Sequence, residues 1–255
     1  MSDSFDLRAL LDSWPYDPDN DARVVLSKDG REVLQVRTPL GVEQLDMEGR
    51  PDGARPHEME SALEFQQHRL AQARAAGQAA GFELDAEECV ELFNEGTLYY
   101  FRYLRLFQLK RWAETVRDTA RNLRLFDFVR EHAAREEDQN HLEKWRPYVV
   151  RMNAAASALL NLEHGAHDRA VEIINRAVER IEALAEMDEE TFTFERARSL
   201  AALRELAANI EQARPVSAVE RLEQQLRQAV DRQEFERAAE LRDRIRELKS
   251  RQPAA

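Results

Sequence analysis

Cysteine occurs once in the 255 residues, as Cys89. A lone thiol excludes an internal disulfide framework and any cysteine-based zinc cluster. Glycine and proline are also scarce at eight each, while 34% of the residues are charged. That balance favours long solvated helices over a loop-rich or all-β fold, so the expected class is mainly α. No apolar run reaches the roughly 18 residues that a membrane span needs. The acidic start Met1-Ser2-Asp3-Ser4-Phe5-Asp6 is not followed by a signal-peptide core, and a cytoplasmic location is expected. Basic residues are outnumbered 37 to 49, for a net charge of −12. Such a chain repels phosphate backbones, so neither nucleic acid nor a membrane is an expected partner.

What is present divides the chain into three parts, at residues 1–56, 57–214 and 215–255. The first carries turn signals at Asp29-Gly30 and Pro51-Asp52-Gly53 around short runs rich in Val and Leu. Segments 22–27 and 31–38 read as a hairpin, in which Leu34 and Val36 alternate with Gln35 and Arg37. Val42, Leu45 and Met47 supply a third strand. The reading is a small antiparallel meander with Trp14 and Tyr16 capping its apolar face.

From about Pro56 to Gln212 the apolar period lengthens to that of helices. Asp85 and Glu88 form a capping-box pattern ahead of a helix running to about Leu109. Within it Tyr100, Tyr103, Leu104 and Phe107 share a face expected to be core, with Arg102, Arg105 and Lys110 mostly on other faces. The strings Lys110-Arg111-Trp112-Ala113-Glu114-Thr115-Val116 and Gly165-Ala166-His167-Asp168-Arg169-Ala170-Val171 resemble the turn and second-helix start of tetratricopeptide hairpins. The second string has the family's Gly and Ala positions, whereas the first has Lys110 and Thr115 there. Trp112 and His167 stand 55 residues apart, against a family period of about 34. A degenerate TPR-like or helical-bundle domain is expected, with Trp112 buried behind its turn.

After Pro215, Ser217 and Glu220 form another capping box. Val219, Leu222, Leu226, Ala229 and Val230 make one stripe, Asp231 and Glu234 signal a new cap, and Phe235, Ala238, Leu241, Ile245 and Leu248 make a second stripe. Periodicity alone gives a helical hairpin. Its string Phe235-Glu236-Arg237-Ala238-Ala239-Glu240-Leu241-Arg242-Asp243-Arg244-Ile245, preceded by Leu222 through Val230, resembles the UVR motif of the bacterial excision-repair proteins UvrB and UvrC. The motif also recurs in partners of Clp-type proteases. The resemblance covers about residues 216–250 and implies a bacterial protein that associates through this hairpin. The implied partner is a second copy of the chain or a UvrB- or Clp-type protein. Leu222, Leu226, Phe235, Glu236, Leu241, Arg242, Asp243, Ile245 and Leu248 are the implied protein-binding residues. Phe235 is expected to plug the closed end against Leu226 or Val230, leaving Leu222, Leu241, Ile245 and Leu248 as an outer apolar edge. Between Ser217 and Ser250 eight acids face eight bases, so the hairpin has no basic field for DNA.

The features that would carry catalysis are missing from the sequence. No Gly-x-x-x-x-Gly-Lys-Ser/Thr loop supports a UvrB-like ATPase, and no nuclease motif supports UvrC-like cleavage. Asp17, Asp19 and Asp21 mimic a calcium loop, but Ala22 and Lys28 occupy the positions that need Gly and Glu. His164 and His167 lack a third ligand fixed by spacing. Cys89 has no identified His partner and reads as a structural thiol. The expectation is a protein-binding adaptor or scaffold, not an enzyme, with no cofactor. The alternatives are an accessory factor in nucleotide-excision repair and, on the unexplained Gly49–Gly53 segment alone, an enzyme with its site there.

Overall fold

The computed structural model describes residues 7–214 and 218–251. They form two compact units, one reaching Asn209 and the other starting at Ile210. After the short helix α1 (Arg8–Ser13), the strands β1 (Ala22–Leu26), β2 (Glu32–Thr38) and β3 (Gly41–Asp46) build an antiparallel sheet in the order β1-β2-β3. Leu34 pairs with Val24 on one side and Leu45 on the other. Gly30, at φ +82°, takes the left-handed conformation that the first turn requires and that an L side chain resists.

Helices follow: α2 (Ala62–Ala75), α3 (Ala86–Gln108), α4 (Trp112–His132), α5 (Glu136–His141), α6 (Arg146–Glu163), α7 (His167–Glu182) and α8 (Glu190–Ala213). The expected capping box is formed at α3, with Asp85 and Glu88 each accepting the other's backbone N–H. Helix α4 packs between α3 and α6, and α6 packs on α7. The middle region is therefore helical as its periodicity predicts.

Two expectations about the first unit need correction. The apolar face of the sheet is not capped by Trp14 and Tyr16. Leu34, Val36 and Met47 instead form a core with Leu106 of α3, flanked by Val24, Leu45 and Leu109. Tyr16 is exposed, and Trp14 lies under the Arg23 guanidinium at 3.9 Å. A three-stranded sheet has too little apolar surface to seal itself, and a helix covers more of it than two loop aromatics. The second correction concerns α3. Its fully buried residues include Arg102 beside Tyr103 and Leu106, so a charged side chain placed on an outer face lies in the interior. Arg102 donates to both oxygens of Asp118, at 2.6 and 2.9 Å, and to the Asp46 carbonyl at 2.7 Å. It ties the sheet to two helices through a fork that only guanidinium geometry provides.

Trp112 is buried and its ring meets Phe107 edge to face, with centroids 5.1 Å apart. Its indole N–H donates to Glu163 at 2.8 Å, which satisfies the one polar atom that burial of a tryptophan strands.

Candidate interaction surface

In the second unit, helices α9 (Ala218–Asp231) and α10 (Phe235–Arg251) pack against each other as the expected hairpin. Pro215 and the Ser217–Glu220 capping pattern lie outside the described residues and side chains. Asp231 closes α9 and does not cap α10. The reversal is made by Gln233 at φ +58°, where the Glu234 N–H reaches back to the Ala229 carbonyl at 2.8 Å. That bond and the one from Gln233 to Val230 form a Schellman-type helix end.

Ala229, Ala238 and Ile245 are buried. Leu222, Leu226, Leu241 and Leu248 are half-buried. Small residues near the turn permit close approach of the two helices, and the longer apolar side chains flank them further out. Glu236, Arg242 and Asp243 are exposed. The Arg242 guanidinium reaches the neighbouring Asp243 carboxylate at 3.3 Å, and Arg237 pairs with Glu234 at 3.4 Å. Exposed neighbours of this kind contribute little to stability.

Two assignments within the hairpin reverse. Phe235 does not plug the closed end; it is 68% exposed, and Val230 is 49% exposed. At about 100° per residue Phe235 lies about 60° off the Ala238 face, and α9 has already ended where α10 begins. Ile245 does not belong to the outer edge. It stands two turns from Ala238, on the same face, and is buried with it. Among the described residues, the apolar surface of the hairpin available to a partner includes Phe235 and Val230 at the turn end, with Leu222, Leu226, Leu241 and Leu248 part-covered. Sequence spacing identified the stripe but not the offset of its first member.

Features that resembled other sites are accounted for in place. Asp17 accepts from the Asp19 amide at 3.0 Å and from Asn20 at 2.9 Å, which holds its carboxyl below the usual carboxylate range. The His164 and His167 rings lie against the Leu160 and Gly165 carbonyls at 2.8 and 3.0 Å. Among the described residues no group of three or more His, Cys, Asp or Glu is arranged to hold a metal. Cys89 is buried and burial pushes its thiol up to about 12, so it stays protonated and inert at neutral pH. The Gly49–Gly53 segment is a tight turn with positive φ at both glycines. It presents Arg50 to Asp52 at 2.9 Å and to the buried Glu95 of α3 at 3.3 Å.

No helix among the described residues is long and apolar enough to cross a membrane. No curated protein and no solved structure matches the chain. The tetratricopeptide resemblance is not confirmed by these comparisons, although both strings do form helix–turn–helix units at α3–α4 and α6–α7. The family model described as the UvrB/uvrC motif matches residues 217–251, and the hairpin of α9 and α10 is that interaction motif.

Proposed function

We infer that the protein is an adaptor or scaffold that associates through the turn end of its UVR hairpin. The observation that carries this reading is that Val230 and Phe235, in the last turn of α9 and the first position of α10, are both exposed. Aromatic anchors of this kind supply much of the binding energy at protein interfaces once a partner desolvates them. Exposed Glu236, Arg242 and Asp243 then form a polar rim that sets register and partner choice. The partner chemistry that fits is an apolar helical surface, supplied by a second copy of the hairpin or by a UvrB- or Clp-type protein. The chain itself is assigned no catalytic step.

The motif's family favours one other reading, an accessory role in excision repair. Recruitment through a UvrB-like protein requires no basic surface on this chain. Sedimentation mass and partner retention from cell lysate, measured for the full chain and for a Val230→Ser/Phe235→Ser double variant, test the proposal. A chain ending at Arg214 serves as the comparison. Both substituted positions are exposed, so the melting temperature should hold while mass or retained partner is lost as it is on truncation. Unchanged mass and unchanged partners would overturn the adaptor reading, and a retained UvrB-like protein would favour the repair role.

A further inference from the structure

The aromatic face of α3 is core only in part. Between α3, α4, α6 and α8 it borders a cavity of about 390 Å³, within the range of small-molecule sites. Phe93, Tyr100, Tyr103, Phe126, Trp145 and Tyr148 line it. Their orientations are fixed by contacts among themselves and with neighbours. Tyr100 meets Tyr103 and Tyr148 edge to face, with centroids 5.6 and 6.0 Å apart, and Phe93 stacks on His141 at 4.2 Å. Thr97, Trp145 and Arg198 line the cavity and are exposed, so they mark its mouth.

Charge around the cavity sorts its possible ligands. The Arg146 guanidinium lies over the Phe126 ring at 5.7 Å, and that of Arg151 lies over Tyr148 at 5.0 Å. Neither arginine lines the cavity, so each covers its ring from the protein side. A ring already engaged by a guanidinium attracts a second cation less. Arg146 is balanced by Glu143 and Asp127, at 2.6 and 2.9 Å. Arg151 and Arg198 instead share one carboxylate, Glu195, at 3.8 and 3.5 Å. Two guanidiniums around one carboxylate leave an excess positive charge beside the aromatic walls. Arg198 reaches Glu195 only by a long contact through Nη1, and its side chain is 58% exposed, so its fork can take a second acceptor. Tyr148 keeps a donor in the same wall. Burial pushes its hydroxyl up to about 12, with Arg151 and Arg198 acting the other way, and it stays protonated at neutral pH.

We propose that this cavity binds a small aromatic carboxylate, its flat ring system among the aromatic side chains and its anionic group at the mouth against Arg198. A flat ring extends the edge-to-face and stacked contacts that the walls already make with one another. A carboxylate offers the two oxygens that a guanidinium fork binds, and its single charge offsets the local excess where a phosphate dianion would overshoot it. An ammonium would add to that excess. A neutral aromatic would use the walls but forgo the fork.

The test titrates the intact protein with naphthoate, naphthamide and naphthylmethylammonium, which share one ring system and differ in charge, and reads binding heat. Naphthoate should bind saturably and most tightly, with the ammonium weakest. Arg198→Ala should weaken naphthoate about tenfold or more, to the level of naphthamide, and leave naphthamide unchanged. Thr97→Trp, which places a bulky ring at the mouth, should weaken naphthoate and naphthamide together. Both positions are exposed, and melting temperatures check that the variants fold; if Thr97→Trp does not, the Arg198→Ala comparison remains decisive. Absence of saturable naphthoate binding, equal or tighter binding of the ammonium, or naphthoate affinity indifferent to either folded variant would overturn the proposal.

Discussion

At the residue scale, Glu95 shows how the first unit is fastened. It is wholly buried in the middle of α3, and its two oxygens accept the backbone N–H groups of Ala62 and Leu63 at 2.7 and 3.1 Å. Those amides belong to the open first turn of α2, where a carboxylate is favoured by unpaired donors and helix dipole together. Arg121 of α4 donates to the same carboxylate, and Arg50 reaches it from the Gly49–Gly53 turn at 3.3 Å. The segment with no assigned role in the sequence thus has a structural one: its glycines shape a turn that delivers Arg50 to the helices. Glu95→Ala would strand one buried guanidinium, one partly buried one and two amides. It should cost about 3–5 kcal/mol, read as a lower urea midpoint, whereas substitution of the exposed Glu236 should leave the midpoint nearly unchanged. An unaltered midpoint in Glu95→Ala would show that the network is not holding the unit together.

Among the elements, helix ends were the most legible in the sequence and helix interiors the least. Asp85 with Glu88 marked the start of α3 because capping is local chemistry, decided by residues three apart. The strings at Lys110 and Gly165 marked turns for the same reason, and the structure gives them one geometry. Lys110, Gly165 and Gln233 have φ of +59°, +72° and +58°. Behind them the amides of Arg111, Ala166 and Glu234 reach the carbonyls of Leu106, Asn161 and Ala229 at 2.8, 2.9 and 2.8 Å. What periodicity could not give was the burial of Arg102 and Glu95 or the aromatic cavity, because each depends on a partner from a distant segment. It also could not give the exposure of Phe235, since a stripe ignores where the opposing helix stops. Only one of the three turns has the glycine that the left-handed conformation favours, and elsewhere a side chain bears the strain. Lys110→Gly and Gln233→Gly should therefore each stabilise their hairpin by about 0.5–1 kcal/mol, seen as a higher melting temperature. A decrease in either would mean that the replaced side chain makes a contact worth more than the backbone relief.

For the whole molecule, the distribution of charge separates the ways in which the hairpin can associate. Residues 217–250 carry eight acids and eight bases, so the net −12 lies entirely outside them. The hairpin is electrically neutral, and the rest of the chain repels phosphate. Direct binding to duplex or single-stranded DNA should thus be undetectable near physiological salt, where a few basic contacts would give at most weak, sequence-independent affinity. Association through Phe235 and Val230 behaves differently, because desolvation of apolar surface does not depend on a Debye length that shrinks to about 3 Å at 1 M salt. A complex held by those side chains should survive a rise from about 0.15 M to 1 M sodium chloride and should strengthen in sulfate, which favours apolar burial. One held by Glu236, Arg242 and Asp243 should dissociate over the same range. Sedimentation of the complex at both salt concentrations, alongside a fluorescence titration with labelled DNA, separates these cases. Dissociation at high salt would transfer the interface from the turn end to the charged rim, and submicromolar DNA binding with a steep salt slope would move the chain itself into contact with nucleic acid.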